Sequence, residues 1–160
     1  MNKRLLLSGS LAALLMLSAC ASTPAPTTIT ETAAAAPQLS TLSKLLGQSG
    51  LADTLKGAGP FTVFAPTDEA FKAVPAKTME ALASDPELLK SVLTYHVLAG
   101  KLTSADVTNG PAKTVQGASV ALYRSGSFVT IEDAVVTAAD VPASNGVVHV
   151  VDRVLMPPKK

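Results

Sequence analysis

Residues 59–71 read GPFTVFAPTDEAF, and this stretch does most to decide the fold. Its run 61–64 is β-prone, and Pro66 closes the run because proline has no N–H to donate to a sheet. Thr67 suits the N-cap of a helix, since its side-chain oxygen can accept a hydrogen bond from a free N–H of the first turn. Asp68 follows in that turn, where the helix dipole favours an anion. The stretch therefore predicts a strand that leads directly into a helix.

Helical patterns surround this stretch in the first half of the chain. Leucines fall at helical spacing in 39–46 and again in 51–55, and glycines end each run. Pro75 and Pro86 suit first helical turns. Leucine and valine at i, i+3 and i+4 in 86–94 predict an amphipathic helix there.

The second half changes period and predicts strands. The runs 119–124 and 128–131 are β-prone, and the Ser-Gly-Ser sequence between them indicates a hairpin. Further strands are expected at 134–141 and 147–155, separated by turn residues. Helices first and strands later favour an α+β fold over alternating βαβ units.

The amino terminus has the pattern of an export signal. Residues 1–20 read MNKRLLLSGSLAALLMLSAC, with two basic residues before an apolar run that is too short to span a membrane. The run ends in Leu-Ser-Ala-Cys, which resembles the bacterial lipoprotein box, so Cys20 is the expected lipidation site after removal of residues 1–19. The alternative is an ordinary signal peptide whose small residues happen to precede a cysteine. Lipid on Cys20 predicts membrane anchorage, and Ala21 after it resembles the pattern of lipoproteins sent to an outer membrane where a second membrane exists.

Four segments are predicted along the chain. After the signal peptide of residues 1–19, residues 20–37 carry the lipidated cysteine and a tether rich in Ala, Thr and Pro, without a regular apolar period. Residues 38–157 have the length of one domain, and 158–160 form a short tail. The tether is expected to be a flexible coil that lifts the domain off the bilayer.

Composition excludes several classes of function. Charged residues make up 16% of the chain and the net charge is +1, so the basic field that nucleic-acid binding requires is missing. Two His and one Cys cannot provide a four-residue zinc site without carboxylates. The sequence also lacks a phosphate-binding glycine loop, because Pro60 follows Gly59 where donors would be needed. We therefore expect no metal, no cofactor and no nucleic-acid partner.

Three segments, read in order, resemble the fasciclin domain. Residues 59–71 are similar to its first box, Leu-Thr-Tyr-His-Val-Leu at 93–98 to its central Tyr-His motif, and 143–155 to its closing box. The resemblance covers about 120 residues, effectively the whole predicted domain. It implies a β-sandwich or wedge of about seven strands with a helical layer beside it.

The resemblance also implies a function. Fasciclin domains are generally not enzymes and act in adhesion, matrix contact and surface association. The expected function is an extracytoplasmic adhesion or interaction module in the cell envelope, monomeric, that binds an unidentified surface or matrix protein or glycan. The alternatives are a structural or stress-related envelope lipoprotein without a dedicated adhesive partner, or a small-ligand carrier or hydrolase.

The motif residues have a structural interpretation and a functional one. His96 lies among apolar neighbours and is expected to be buried, so both ring nitrogens need partners. The family places this region against the first box, which makes Thr67 or Asp68 its expected partner. The alternative is that Tyr95 and His96 form a recognition surface, as proposed for adhesive relatives.

The closing box adds three further motif residues. Asn145 and Gly146 are expected in a turn, and His149 lies in a strand-like run, where a packed histidine is more common than a catalytic base. A hydrolase would need Ser or Asp partners such as Ser144 or Asp152, but Ser144 lies in a turn sequence and lacks the nucleophile-elbow pattern. No catalytic residue is expected.

Overall fold

The computed structural model describes residues 27–57 and 59–158. Within them lie six α-helices, one short 3₁₀ helix (Pro37–Leu39) and seven strands. The helices are α1 (Ile29–Ala35), α2 (Ser40–Gln48), α3 (Leu51–Leu55), α4 (Asp68–Lys72), α5 (Ala76–Ser84) and α6 (Pro86–Tyr95). The strands are β1 (Phe61–Pro66), β2 (Val97–Ala99), β3 (Gly110–Lys113), β4 (Ser119–Ser125), β5 (Phe128–Ile131), β6 (Ala134–Ala143) and β7 (Gly146–Val151).

The strands form one sheet that nearly closes into a barrel. Their order is β2-β1-β7-β6-β5-β4-β3, and every pair is antiparallel except β1 with β7. The two end strands meet at a single bridge between Leu98 and Thr114, where Val115 N–H donates to Val97 O at 2.8 Å. The α+β prediction of about seven strands with a helical layer is confirmed.

The alternation of side chains along the strands divides the apolar interior into two cores. One lies inside the curled sheet and includes Phe64, Val120 and Ile131. The other lies between the helices and the opposite face of β1, β2 and β7, and includes Val63 and Val148. Because the period of a strand is two, neighbouring residues of β1 supply both cores.

The first helix corrects the predicted tether. Residues 20–37 were expected to be a flexible coil, but Ile29 and Ala33 of α1 are buried in the helix-side core. Thr28 caps α1 in a reciprocal capping box with Glu31, which satisfies free N–H groups at the start of the helix. Burial of Ile29, this cap and the hydrogen bond from Ile29 N–H to Asn145 Oδ1 together attach to the domain a segment that has no regular apolar period. The folded unit therefore begins before residue 38.

Several predicted elements are confirmed and others are shifted. The strand at 61–66, the Thr67 cap, the helix from Pro86 and the hairpin at residues 125–127 are all present. The last predicted strand ends at Val151 rather than residue 155. Pro75 stands at the N-cap of α5 rather than inside its first turn.

The predicted signal peptide of residues 1–19 and Cys20 lie outside the described residues. Among the helices that the structure does describe, none has the length and apolar character needed to cross a bilayer.

Candidate functional site

His96 joins the end of α6 to the segment that follows β7. Its ring is 1% exposed. Nδ1 lies 2.8 Å from Val92 O, and Leu155 N–H donates to Nε2 at 2.9 Å. Because a backbone N–H can only donate, Nε2 is the acceptor and Nδ1 carries the proton. His96 is therefore a neutral imidazole whose two nitrogens are both occupied by backbone groups.

Burial fixes this protonation state. It lowers the pKa of His96 to about 4, because the protein interior disfavours the charged ring. Tyr95 next to it is also buried and packs in the core inside the sheet, and burial raises the pKa of its phenol. Neither aromatic ring stands on the surface as a recognition site would require.

The prediction that Thr67 or Asp68 is the partner of the His96 ring is wrong. The first box does contact His96 through the backbone, since Phe64 N–H donates to His96 O at 2.9 Å. Thr67 caps α4, with Oγ1 accepting from Ala70 N–H at 3.2 Å. Asp68 accepts hydrogen bonds from Thr41 N–H and the Ser40 hydroxyl, both at 2.8 Å. These are donors at the start of α2, where free N–H groups attract a carboxylate. The Thr41 N–H and then the Ser40 hydroxyl hold the pKa of Asp68 below its ordinary value.

Asn145 connects three separate elements, two through its side chain and one through its backbone carbonyl. Its Oδ1 accepts from Ile29 N–H at 3.0 Å, which is the start of α1. Its Nδ2 donates to Leu55 O at the end of α3. Its backbone carbonyl accepts from Phe61 N–H at 3.0 Å, which begins β1. Asn145 thus satisfies donors and acceptors at the ends of two helices and one strand.

Gly146 is required by close packing of backbones. A Cβ built on Gly146 would lie 1.9 Å from Phe61 O and 3.0 Å from Ile29 Cδ1. Any side chain at this position would separate β7 from β1. The Asn-Gly pair of the closing box therefore holds α1, β1 and β7 together.

His149 on β7 has the same character as His96. It is 1% exposed and stacks on Phe64, with ring centroids 5.4 Å apart. Nδ1 accepts from Asp140 N–H at 3.2 Å, and Nε2 lies 2.8 Å from Leu102 O. Its second nitrogen must therefore donate, so this ring also links loop backbone to strand backbone.

The structure does not bring the conceivable hydrolase residues together. Ser144 lies on the surface beside Thr27, to whose carbonyl it donates through its backbone N–H at 2.8 Å. Asp152 accepts from Val135 N–H at 2.7 Å, and Asp68 is bound to α2. The hydrogen bonds of the two histidines go to other residues. Within residues 27–57 and 59–158, no group of three or more His, Cys, Asp or Glu side chains is arranged to hold a metal ion.

Sequence reasoning missed the function of several residues. The docking of Ile29 has a readable signal, because Thr28 and Glu31 form the Thr-x-x-Glu pattern of a capping box. The sequence gives no signal for the backbone partners of His96, because every residue except proline has the same backbone N–H and C=O groups. The sequence also gives no sign that Lys101 and Lys113, which are distant in the chain, line the same groove between β2 and β3.

The comparisons with known proteins agree with this architecture. The model of the fasciclin domain family matches residues 37–157. Protein sll1483 of Synechocystis sp. is 42% identical over 140 residues, covering 86% of this chain and 78% of that protein. The Immunogenic protein MPB70 of Mycobacterium bovis is 42% identical over 127 residues, covering 76% and 65%. The Cell surface glycolipoprotein MPB83 of the same species is 40% identical, covering 76% and 57%, so the chain spans about three fifths of these two mycobacterial proteins.

A solved structure shares the fold. The FAS1 domain pair from the insect cell adhesion molecule Fasciclin I aligns with a TM-score of 0.64 at 22% identity, over 82% of this chain and 51% of the solved chain. The seven-stranded near-barrel with its helical layer agrees with the family match and with the mycobacterial and cyanobacterial relatives. The chain therefore belongs to the fasciclin domain family.

Proposed function

We propose that the chain is a non-enzymatic interaction module of the bacterial cell envelope, anchored by lipid on Cys20. One observation carries the non-enzymatic part of this proposal. The buried histidines His96 and His149 each have both ring nitrogens occupied by backbone groups. The motif residues therefore build a rigid domain, and a general base with a free nitrogen is missing from the positions where the family motif places histidine.

The relatives support a surface location and an adhesive role. One mycobacterial relative is named a cell surface glycolipoprotein, and the structural neighbour comes from an insect cell adhesion molecule. By analogy, we propose that this domain is exported and acts as a monomer on a surface or matrix protein or a glycan. A structural or stress-related envelope role without an adhesive partner is the competing proposal.

The position of α1 limits how far the domain reaches from its anchor. Because Thr28 and Ile29 are fixed to the domain, only the residues between Cys20 and Thr28 separate the lipid from the fold. The seven residues 21–27 give eight Cα–Cα steps from Cys20 to Thr28, which span at most about 29 Å when fully extended. The domain is thus held close to the bilayer, with the β6–β7 turn nearest to its point of attachment, since Ser144 N–H donates to Thr27 O.

Lipid labelling tests the anchor. Cells that express the full chain and are grown with radiolabelled palmitate should label the wild type and fail to label Cys20→Ser, which should accumulate as unprocessed precursor. A Ser18→Thr variant, which keeps the cysteine, is the matched control and should label normally. Normal labelling of Cys20→Ser would contradict the anchor.

Protease treatment of intact cells separates the surface module from the envelope-internal alternatives. An adhesion module must be digested from outside, whereas a structural lipoprotein that faces the periplasm is protected until the outer membrane is opened. Cells that lack the protein should also lose attachment to surfaces coated with matrix protein or envelope glycan, and the wild-type gene should restore it. Full protection from protease together with unchanged attachment would favour the structural role.

A further inference from the structure

The near-barrel has a seam at which two strand edges fail to pair. β2 and β3 end the sheet, and the contact between them is limited to the bridge of Leu98 with Thr114 and the bond from Val115 N–H to Val97 O. Beyond this point a groove of about 660 Å³ opens, lined by residues of both edges. A groove between two strand edges is a setting in which an added strand can pair.

The backbone of both edges is oriented for such pairing. In β2, Gly100 N–H donates to Pro60 O on the β1 side, so alternation turns the N–H and C=O of Ala99 toward the seam. In β3, Thr114 N–H donates to Ala118 O on the β4 side, so the groups of Lys113 point toward the seam. Pro111 stands on this edge, where a residue without an N–H is tolerated.

The lining of the groove is apolar on its floor and basic at its rim. The apolar lining residues are Phe61, Leu98, Leu102, Ala112 and Val115, and Val115 is 43% exposed. Lys101 and Lys113 are both exposed and stand on opposite edges. No carboxylate lines this groove in the described part of the chain, and neither lysine forms an ion pair there.

We propose that the seam binds an extended segment of a partner protein in which apolar side chains alternate with acidic ones. The backbone of the segment pairs with Ala99 or Lys113, its apolar side chains face the groove floor, and its carboxylates meet Lys101 and Lys113. The choice of an acidic partner follows from charge complementarity, since the two charged residues that line the groove, Lys101 and Lys113, are both basic. This inference rests on the proposed interaction role and names the chemistry of the partner.

Peptide binding to the purified full chain in detergent micelles tests this proposal without reference to location or attachment. The probe is an eight-residue peptide that alternates Val and Glu, with acetylated and amidated ends. Backbone amide shifts of the ¹⁵N-labelled protein report where it binds. Control peptides replace every Glu with Lys, or carry N-methyl groups on alternate amides, which prevents strand pairing.

The expected result is saturable shifts confined to 97–102 and 110–115, with at least about tenfold weaker binding of both control peptides. Lys101→Glu with Lys113→Glu should lower affinity for the Glu peptide at least about tenfold. The matched double variant Lys77→Glu with Lys90→Glu, on exposed helical positions that do not line the groove, should bind within about twofold of wild type.

Three outcomes would overturn the proposal: shifts outside the seam, equal binding of the Lys and Glu peptides, or equal binding of the N-methylated peptide. Seam shifts that depend on protein concentration without peptide would also overturn it, because a second copy of the chain would then be the occupant. None of these results tests whether the protein is lipidated or exposed on cells. A negative result for the seam would therefore leave the proposed function untouched, and the reverse also holds.

Discussion

The backbone N–H of Leu155 donates to Nε2 of His96 at 2.9 Å, across 59 positions of sequence. The same ring reaches Val92 O at 2.8 Å, so one imidazole ties the end of α6 to the chain that leaves β7. This contact joins the central motif of the family to its closing box through one ring nitrogen and one backbone N–H. It explains why a histidine can be needed at this position without touching a ligand.

Acid should destabilise the protein through this residue. Because burial lowers the pKa of His96 to about 4, the unfolded chain binds a proton more readily than the folded one. The contribution of the neutral His96 ring to stability is complete above the unfolded pKa of about 6.5, and it is lost as the pH falls through the folded pKa of about 4. The total loss in unfolding free energy is up to about 3 kcal/mol. Urea unfolding from pH 7 to pH 4 should show this fall in wild type. His96→Leu, which has no ring to protonate, should show a smaller fall.

A ring-nitrogen NMR spectrum provides the control for this pH experiment. At pH 5.5 wild-type His96 should remain the neutral tautomer with the proton on Nδ1. A doubly protonated ring at that pH, or identical pH profiles for wild type and His96→Leu, would contradict the assignment.

Asn145→Ala should release α1 from the domain. The substitution leaves Ile29 N–H and Leu55 O without their side-chain partner, which should cost about 2–3 kcal/mol of unfolding free energy. Hydrogen exchange measured by mass spectrometry should show that residues 29–35 exchange faster in the variant than in wild type. The β4–β5 hairpin should exchange at the same rate in both proteins. Asn145→Asp should be no better, because its second oxygen would face the Leu55 carbonyl. Unchanged exchange in α1 for both variants would show that the helix is held without Asn145.

Gly146→Ala should be far more harmful than an alanine placed at an open glycine. The new methyl would meet Phe61 O at 1.9 Å, so β1 and β7 must move apart, at an expected cost above about 3 kcal/mol. Gly47→Ala is the matched control, since nothing lies within 4 Å of its Cβ and it stands within α2, where alanine favours the helix by about 0.5–1 kcal/mol. Thermal melts should therefore shift in opposite directions. Equal melting temperatures for the two variants would contradict the close approach.

Short sequence patterns predict many of the helices and strands. The sequence does not predict contacts between backbone segments that are distant in the chain. The cap at Thr67, the proline start of α6 and the hairpin near Gly126 each depend on a few neighbouring residues. β2 and β3 are three and four residues long, and β3 contains a proline, so their apolar alternation is too short to detect.

The candidate site shows the same division. Burial of His96 follows from its apolar neighbours, but its partners are a carbonyl and an N–H whose positions depend on the whole fold. The family resemblance makes Thr67 or Asp68 the expected partner of His96, whereas the sequence does not show that the start of α2 lies beside Asp68. Family resemblance placed the motifs near one another and could not say which atoms meet.

The most direct test of the central claim is the urea unfolding free energy of His96→Ala, measured beside wild type and Tyr95→Phe in the full chain. If the motif histidine holds the fold together, His96→Ala should lose about 2–4 kcal/mol, from unpaired backbone groups and a partly unfilled cavity. Tyr95→Phe removes only a hydroxyl and should lose no more than about 1 kcal/mol. A His96→Ala midpoint equal to that of wild type would contradict the structural role of His96.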